Sequence, residues 1–279
     1  MISAEYDRAF AAAGAAAWGG VKYETLAAQM DEYCRRKAQE NCPNAAAVLV
    51  AAFPYFAGET AGNLSVYARG EDYHRVLVSH LNTICAILHE DYPEYRFLAT
   101  TDVSPLPERE AAWLCGMGLR GRNGMLILPP YGSYVFIGTI LTDCPLDLPD
   151  APPAADCMNC GKCVAACPTG ALGDRGEFQV RSCLSDLTQR KGDLTPHEQD
   201  LLKAHPYLWG CDICQNICPY NQQAKVAPLP EFQEGYLQSL TPDLLAGLSN
   251  KTFAQQFGDR AFAWRGPAVL RRNLEVKEK

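Results

Sequence analysis

Thirteen cysteines stand out in a chain of 279 residues, and eight of them fall between Cys157 and Cys218. The first four run Cys157-x2-Cys160-x2-Cys163-x3-Cys167-Pro168, the spacing with which bacterial two-cluster ferredoxins hold [4Fe-4S] cubanes. In such a run the first three thiolates bind one cluster and the fourth binds the other. A second run, Cys211-x2-Cys214-x3-Cys218-Pro219, lacks its first member, and Cys183 upstream is the natural replacement. Crossing then assigns Cys157, Cys160, Cys163 and Cys218 to one cluster, and Cys183, Cys211, Cys214 and Cys167 to the other. The alternative is structural zinc in two four-cysteine sites, but zinc ribbons do not need the x3-Cys-Pro endings. Two neighbouring clusters make a relay for single electrons. The five remaining cysteines are scattered, and Cys115 and Cys144 read as small buried residues.

The rest of the chain must hold this relay and give it a substrate. A length near 280 residues suggests two domains, and 48% hydrophobic with 20% charged residues describes an ordinary globular chain. That composition excludes a disordered, collagen-like or coiled-coil protein. The longest apolar runs, Ala45–Phe53 and Tyr134–Leu141, are far short of a membrane span. The N-terminus has no basic region ahead of an apolar one, so no signal peptide and a cytoplasmic location are expected. Thiols without a secretory signal point to metal or redox chemistry rather than disulfides. With 25 basic against 32 acidic residues the net charge is −7, which argues against nucleic-acid binding by bulk attraction.

Strand and helix signals alternate in the first half. Glu24–Gln39 has helical composition, and its charged stretch Tyr33–Gln39 reads as a solvated face. Ala46–Phe53 reads as a buried strand, and Asp72–His89 carries Val76, Leu77, His80, Leu81, Ile84 and Leu88 at helical spacing. Arg96–Thr100 reads as a strand. A helix is expected from Pro107 to Gly116 with Ser104 as its cap. Met125–Leu128 and Tyr134–Leu141 read as strands joined by the turn Pro129–Gly132. Short helices are expected at Pro242–Leu248 and Ala268–Val276. The proline-rich Pro145–Pro153 reads as a boundary, giving domains 1–150, 151–225 and a helical tail 226–279 in a mixed α+β chain.

No Gly-x-Gly-x-x-Gly fingerprint supports a Rossmann nucleotide site. Asp72-Tyr73-His74 begins like the base-off corrinoid motif Asp-x-His-x-x-Gly, but Leu77 stands where glycine is needed. Four stretches carry a broader resemblance: Tyr67-Ala68-Arg69-Gly70-Glu71-Asp72-Tyr73-His74; Thr101-Asp102-Val103-Ser104-Pro105-Leu106-Pro107-Glu108-Arg109-Glu110; Gly118-Leu119-Arg120-Gly121-Arg122-Asn123; and Tyr131-Gly132-Ser133-Tyr134-Val135-Phe136-Ile137-Gly138. With the cysteine zone, Trp264-Arg265-Gly266 and Arg272-Asn273, they resemble the epoxyqueuosine reductase family from about Cys42 onward.

The resemblance implies an N-terminal corrinoid-binding α/β domain of the nitroreductase-like corrinoid reductase type, followed by a two-[4Fe-4S] ferredoxin-like domain. It implies electrons passing from the clusters to cobalamin and reduction of epoxyqueuosine to queuosine in tRNA. Asp102 matches the proton donor, a role that requires a carboxyl protonated near neutrality, as burial against a corrin would make it. Arg109 and Lys191 match tRNA-contacting positions. Leu126, Ser133, Ile137 and Ser185 match residues lining the corrin, and Arg35 and Ser65 lie near further cobalamin positions. His74, on a helix among apolar neighbours, reads by itself as a buried structural histidine. Longer family members continue into a helical repeat domain where this sequence stops, near Lys279, and Arg190-Lys191 with Arg271-Arg272 are candidates for a phosphate-contacting remnant. The implied partners are tRNA and an external low-potential electron donor, with no membrane and a monomeric protein. The competing readings are a corrinoid iron-sulfur reductase of a small molecule such as an organohalide, and a non-enzymatic ferredoxin-type carrier. The organohalide enzymes usually carry a twin-arginine signal, and a carrier does not need Asp102.

Overall fold

The structure is a computed structural model that describes residues 4–147, 152–173 and 177–279. It divides into two compact units that interleave along the chain: Met1–Pro54, His74–Gly121 and Met125–Met158 form the first, and Tyr55–Tyr73, Arg122–Gly124 and Asn159–Lys279 the second. The expected division into three consecutive segments differs from this. Residues 55–73 join the second unit because their backbone is bonded there: Ser65 N donates to Trp209 O, Leu208 N to Asn63 O and Glu71 N to Glu231 O. The tail after residue 225 belongs to the same unit. Part of the Pro145–Pro153 boundary, residues 148–151, lies outside the described residues.

The first unit is built on a four-stranded antiparallel sheet of order β1-β2-β6-β3, with β1 Ala17–Lys22, β2 Ala47–Pro54, β3 Phe97–Thr100 and β6 Val135–Thr142. β2 is central and buried at every position. Both its faces are covered, so it is a continuous apolar run without alternation. Val48, Val50 and Ala52 pack into a core with helices α2 (Tyr23–Ala27), α3 (Glu32–Asn41) and α5 (Glu108–Leu114). On the other face Phe53 meets His80 of α4 (Tyr73–Asp91), and Phe10 of α1 (Ala4–Ala12) stacks on Trp18 at 4.5 Å. The unit is therefore a helix–sheet–helix sandwich.

Three local details depart from expectation. The helix expected over Glu24–Gln39 breaks in two, because Asp31 accepts the Cys34 N–H at 2.7 Å and starts a new helix. Ser104 does not cap α5; its hydroxyl accepts the Leu106 N–H inside the preceding loop. The turn at 129–132 is present, but the strands it joins enter different sheets. The short β5 (Leu126–Ile127) pairs with β4 (Leu119–Arg120), which also pairs with β7 (Ala155–Asp156).

The second unit is made of short helices: α6 Lys162–Ala166, α7 Leu184–Gln189, α8 Pro196–Lys203, α9 Ile213–Asn216, α10 Pro242–Leu245, α11 Asn250–Phe257 and α12 Pro267–Glu278. Trp209, Phe253, Phe257, Phe262, Leu64 and Leu270 make its main core. Arg69 lies wholly inside it, donating to the carbonyls of Glu59, Thr60, Ala61 and Leu64, so the backbone of that loop is satisfied by one guanidinium. No described helix is long and apolar enough to cross a membrane.

Candidate functional site

In the first unit the chemistry gathers where β3 runs out. Thr101 is buried and its hydroxyl donates to Ile137 O of β6 at 3.1 Å, rooting the loop on the sheet. Asp102 follows with φ +55°, a left-handed conformation that a non-glycine residue adopts at some cost and that Asp tolerates better than most. Val103, at the apex, is 89% exposed. The Asp102 carboxylate meets Nε2 of His74 at 2.9 Å, and its backbone N–H donates to Oε1 of Glu108 at 2.7 Å. His74 is thus half-exposed and tied to Asp102, not a buried structural histidine.

Beside Asp102, Glu108 is a carboxyl that the fold brings into the neutral range. Burial pushes it up to about 8; the Asp102 charge adds to this, while the Asp102 N–H, His74 and Arg109 oppose it. Nothing in the local residue order signals this, since a glutamate in the first turn of a helix is usually read as a surface residue facing the helix dipole. The Asp102 side chain is 55% exposed. Arg109 is exposed on the same helix, flanked by Glu108 and Glu110.

In the second unit the two cysteine runs are brought side by side. Helix α6, which carries Cys163 and leads to Cys167, packs on α9, which carries Cys214 and leads to Cys218. Cys167, Cys183, Cys211 and Cys214 lie close enough to sense one another's charge. Cys211 is pushed up to about 12 by burial, with Asp212, Cys183 and Cys167 adding. Burial likewise raises Cys214, with Cys211 and Cys183 adding, and raises Cys183, with Cys167 adding. Burial is the first cause at all three, and iron bound there would keep such thiols ionised. Burial also raises Cys167, but the N–H groups of Thr169, Ala171 and Leu172 and the Thr169 hydroxyl outweigh it, so its net shift is downward. Such N–H···S bonds prepare a thiolate and tune a cluster. The donor set therefore fits a cubane. Cys160 is exposed. Cys157 ends the first unit beside β7, its N–H donating to Arg120 O.

The residues implied to line a corrin divide between the units and differ in what they can offer. In the first unit Arg35 is exposed and Ile137 half-buried, whereas Leu126 and Ser133 are 2% and 1% exposed. In the second, Ser185 is half-buried. Ser65 is fully buried and its hydroxyl is spent on Asp212, so its side chain faces protein rather than a ligand.

Lys191 is exposed in the loop after α7. Arg190 instead bonds Asp186 and Glu198, each at 2.6 Å. Arg271 donates to Leu245 O and Leu248 O, and Arg272 to Arg190 O and Gly192 O. Of the expected phosphate-contacting pairs, Arg190, Arg271 and Arg272 are thus engaged with carboxylates and loop carbonyls, and Arg272 braces the loop that displays the exposed Lys191.

Two family models match: epoxyqueuosine reductase QueG (DUF1730) over residues 35–103 and the 4Fe-4S double cluster binding domain over residues 156–221. The epoxyqueuosine reductase of Listeria monocytogenes is 39% identical over 220 residues, covering 76% of this chain and 56% of the relative. The chain thus spans about half the length of such relatives. That of Synechocystis is 33% identical over 270 residues, covering 93% of this chain and 92% of the relative. A crystal structure of epoxyqueuosine reductase with an epoxyqueuosine-modified tRNA-Tyr stem loop superposes with a TM-score of 0.85 at 26% identity, covering 98% of this chain and 80% of that one. A reductive dehalogenase described in terms of B12-dependent dehalogenation shares the fold alone, with a TM-score of 0.52 at 15% identity over 98% of this chain and 37% of that one. With the double-cluster domain in place and a relative matched almost end to end, the chain belongs to the epoxyqueuosine reductase family.

Proposed function

We propose that this protein reduces epoxyqueuosine to queuosine in tRNA, as a monomer in the cytoplasm, drawing electrons from an external low-potential donor. Bound cofactors supply the reducing chemistry: two [4Fe-4S] clusters for single electrons and a cobalamin for reduction of the epoxide. The polypeptide manages binding and protons. Cys157, Cys160, Cys163 and Cys218 would hold one cluster and Cys167, Cys183, Cys211 and Cys214 the other. In the first unit Arg35, Asp102 and Ile137 have side-chain surface to offer a corrin, as Ser185 has in the second. Leu126, Ser133 and Ser65 do not.

The observation that carries this reading is the Asp102 loop. Expelling an epoxide oxygen as water consumes protons, and a proton donor must present its carboxyl to the substrate. Asp102 suits that role: its side chain is 55% exposed on a loop rooted on β6, with His74 at 2.9 Å to share the proton. Arg109 and Lys191, both exposed, are the residues we assign to tRNA contact.

The test is nucleoside mass spectrometry of epoxyqueuosine-containing tRNA after incubation with anaerobically reconstituted protein, cobalamin and a strong reductant. Queuosine should accumulate. No conversion by protein shown to carry both clusters and cobalamin would end this assignment and favour a small-molecule substrate.

A further inference from the structure

We infer that Glu108 is a positioning residue that latches the proton-donor loop, its side-chain oxygen Oε1 accepting the backbone N–H of Asp102 and so holding that residue in its left-handed conformation. The inference rests on the reading of Asp102 as proton donor and names what keeps it in place. The loop needs a holder. Asp102 carries φ +55°, and the residue after it is almost fully exposed, so packing at the tip cannot fix the turn. Its short-range bonds, Val103 N to Thr101 O and Ser104 N to Asp102 O, lie within the loop and move with it. The bond to Glu108 Oε1 reaches instead to the first residue of α5, whose Ala111, Ala112 and Trp113 are buried against the sheet. Beside the Thr101 bond to Ile137 O and the side-chain bond to His74, it is the tie that runs from the Asp102 main chain to α5.

The position of the bond also matters. Glu108 bonds the main chain of Asp102, while the Asp102 carboxylate meets His74 through Oδ2. An ionised acceptor makes a stronger bond than a neutral one, and the groups around Glu108 pull its charge both ways: Asp102 raises its affinity for a proton, while His74 and Arg109 lower it.

Amide-resolved hydrogen exchange on the full chain with clusters reconstituted, without cobalamin or tRNA, reads the latch directly. The Asp102 amide should be protected in the wild type. It should exchange about tenfold faster in Glu108→Ala, the loss of one such bond, and equally fast in Glu108→Asp, which keeps the charge but not the reach. Glu108→Gln, which keeps an acceptor oxygen at the same length, should restore protection to within about twofold of the wild type by the same reasoning. In turnover, the Ala and Asp variants should lose kcat with KM little changed, and Gln should recover most of it. Unchanged exchange in both Ala and Asp variants, or a Gln variant as fast as they are, overturns the latch. Because exchange is read without substrate, a wild type inactive on epoxyqueuosine but showing this pattern would retire the assigned reaction and leave the latch standing.

Discussion

Ser65 Oγ donates to Asp212 Oδ1 at 2.5 Å, and the N–H of Val66 donates to Oδ2 at 2.7 Å, both inside the second unit. Asp212 is fully buried, and in sequence it lies between Cys211 and Cys214, which we propose as cluster ligands. Burial pushes its carboxyl up, opposed by the bonds from Ser65 and Val66, by Arg69 and by Gln215. The residues before α4 thus hold the loop that carries two thiolates.

Removing that acceptor should cost a cluster. Asp212→Ala strands the Ser65 hydroxyl and the Val66 N–H in a dry interior, a penalty of roughly 1–3 kcal/mol for each group. The loop bearing Cys211 and Cys214 should then lose its shape, and iron after anaerobic reconstitution should fall from about eight to about four atoms per chain. Ser65→Ala removes a single donor, so it should keep its iron, lower Tm by about 2–4 °C and leave cobalamin affinity unchanged. A Ser65→Ala protein with weakened cobalamin binding would restore the ligand role that its burial argues against.

The crossed assignment is open to a double-mutant test. Cys167→Ala and Cys183→Ala should each remove the same cluster, so the double variant should retain about four irons, as each single variant does. Cys167→Ala combined with Cys160→Ala should lose both. If the Cys167–Cys183 double lost all its iron, Cys167 would belong with its own run.

How much of this was legible in the sequence follows from how local each feature is. The cysteine runs, the period of α4 and the apolar run of β2 are written in neighbouring residues, and the structure shows α4 and β2 within two residues of expectation. Strand β1 gave no signal, because Ala17-Trp18-Gly19-Gly20 has neither alternation nor β-branched residues. It is a strand because it lies along β2, and Gly19 is glycine because a Cβ there would come 2.8 Å from the Cys115 sulfur. The Ser65–Asp212 bond spans 147 positions, and the His74–Asp102 pair joins a helix to a loop 28 residues away. The raised Glu108 is likewise a product of burial in the fold, which helical propensity does not encode.

Asp102 itself is tested by Asp102→Asn, which preserves shape and a hydrogen bond to His74 while removing the transferable proton. Both clusters and bound cobalamin should remain, and turnover should fall by about 10²–10⁴, the usual worth of a positioned general acid. His74→Gln should fall less, since the carboxyl remains on the loop. Retention of full activity in Asp102→Asn would remove it from the mechanism.

Glu108 also predicts the shape of stability against pH. Its folded pKa, about 8, lies above the ordinary glutamate value of 4.5. Between these two values the unfolded chain has released the proton that the folded chain still holds. The folded state then binds more protons, and stability must fall as pH rises through that window. Below 4.5 both states are protonated and above about 8 both are ionised, so the contribution is flat outside it. Glu108→Gln cannot ionise and escapes the loss. Its stability should match the wild type near pH 4.5 and exceed it by about 2 kcal/mol at pH 8.5, a partial share of the 1.36 kcal/mol per unit that a fully buried group would show. Urea unfolding of both proteins across pH 4.5–8.5, with cluster content held equal, measures this difference. Parallel curves would mean that Glu108 ionises as freely in the folded protein as in the unfolded chain.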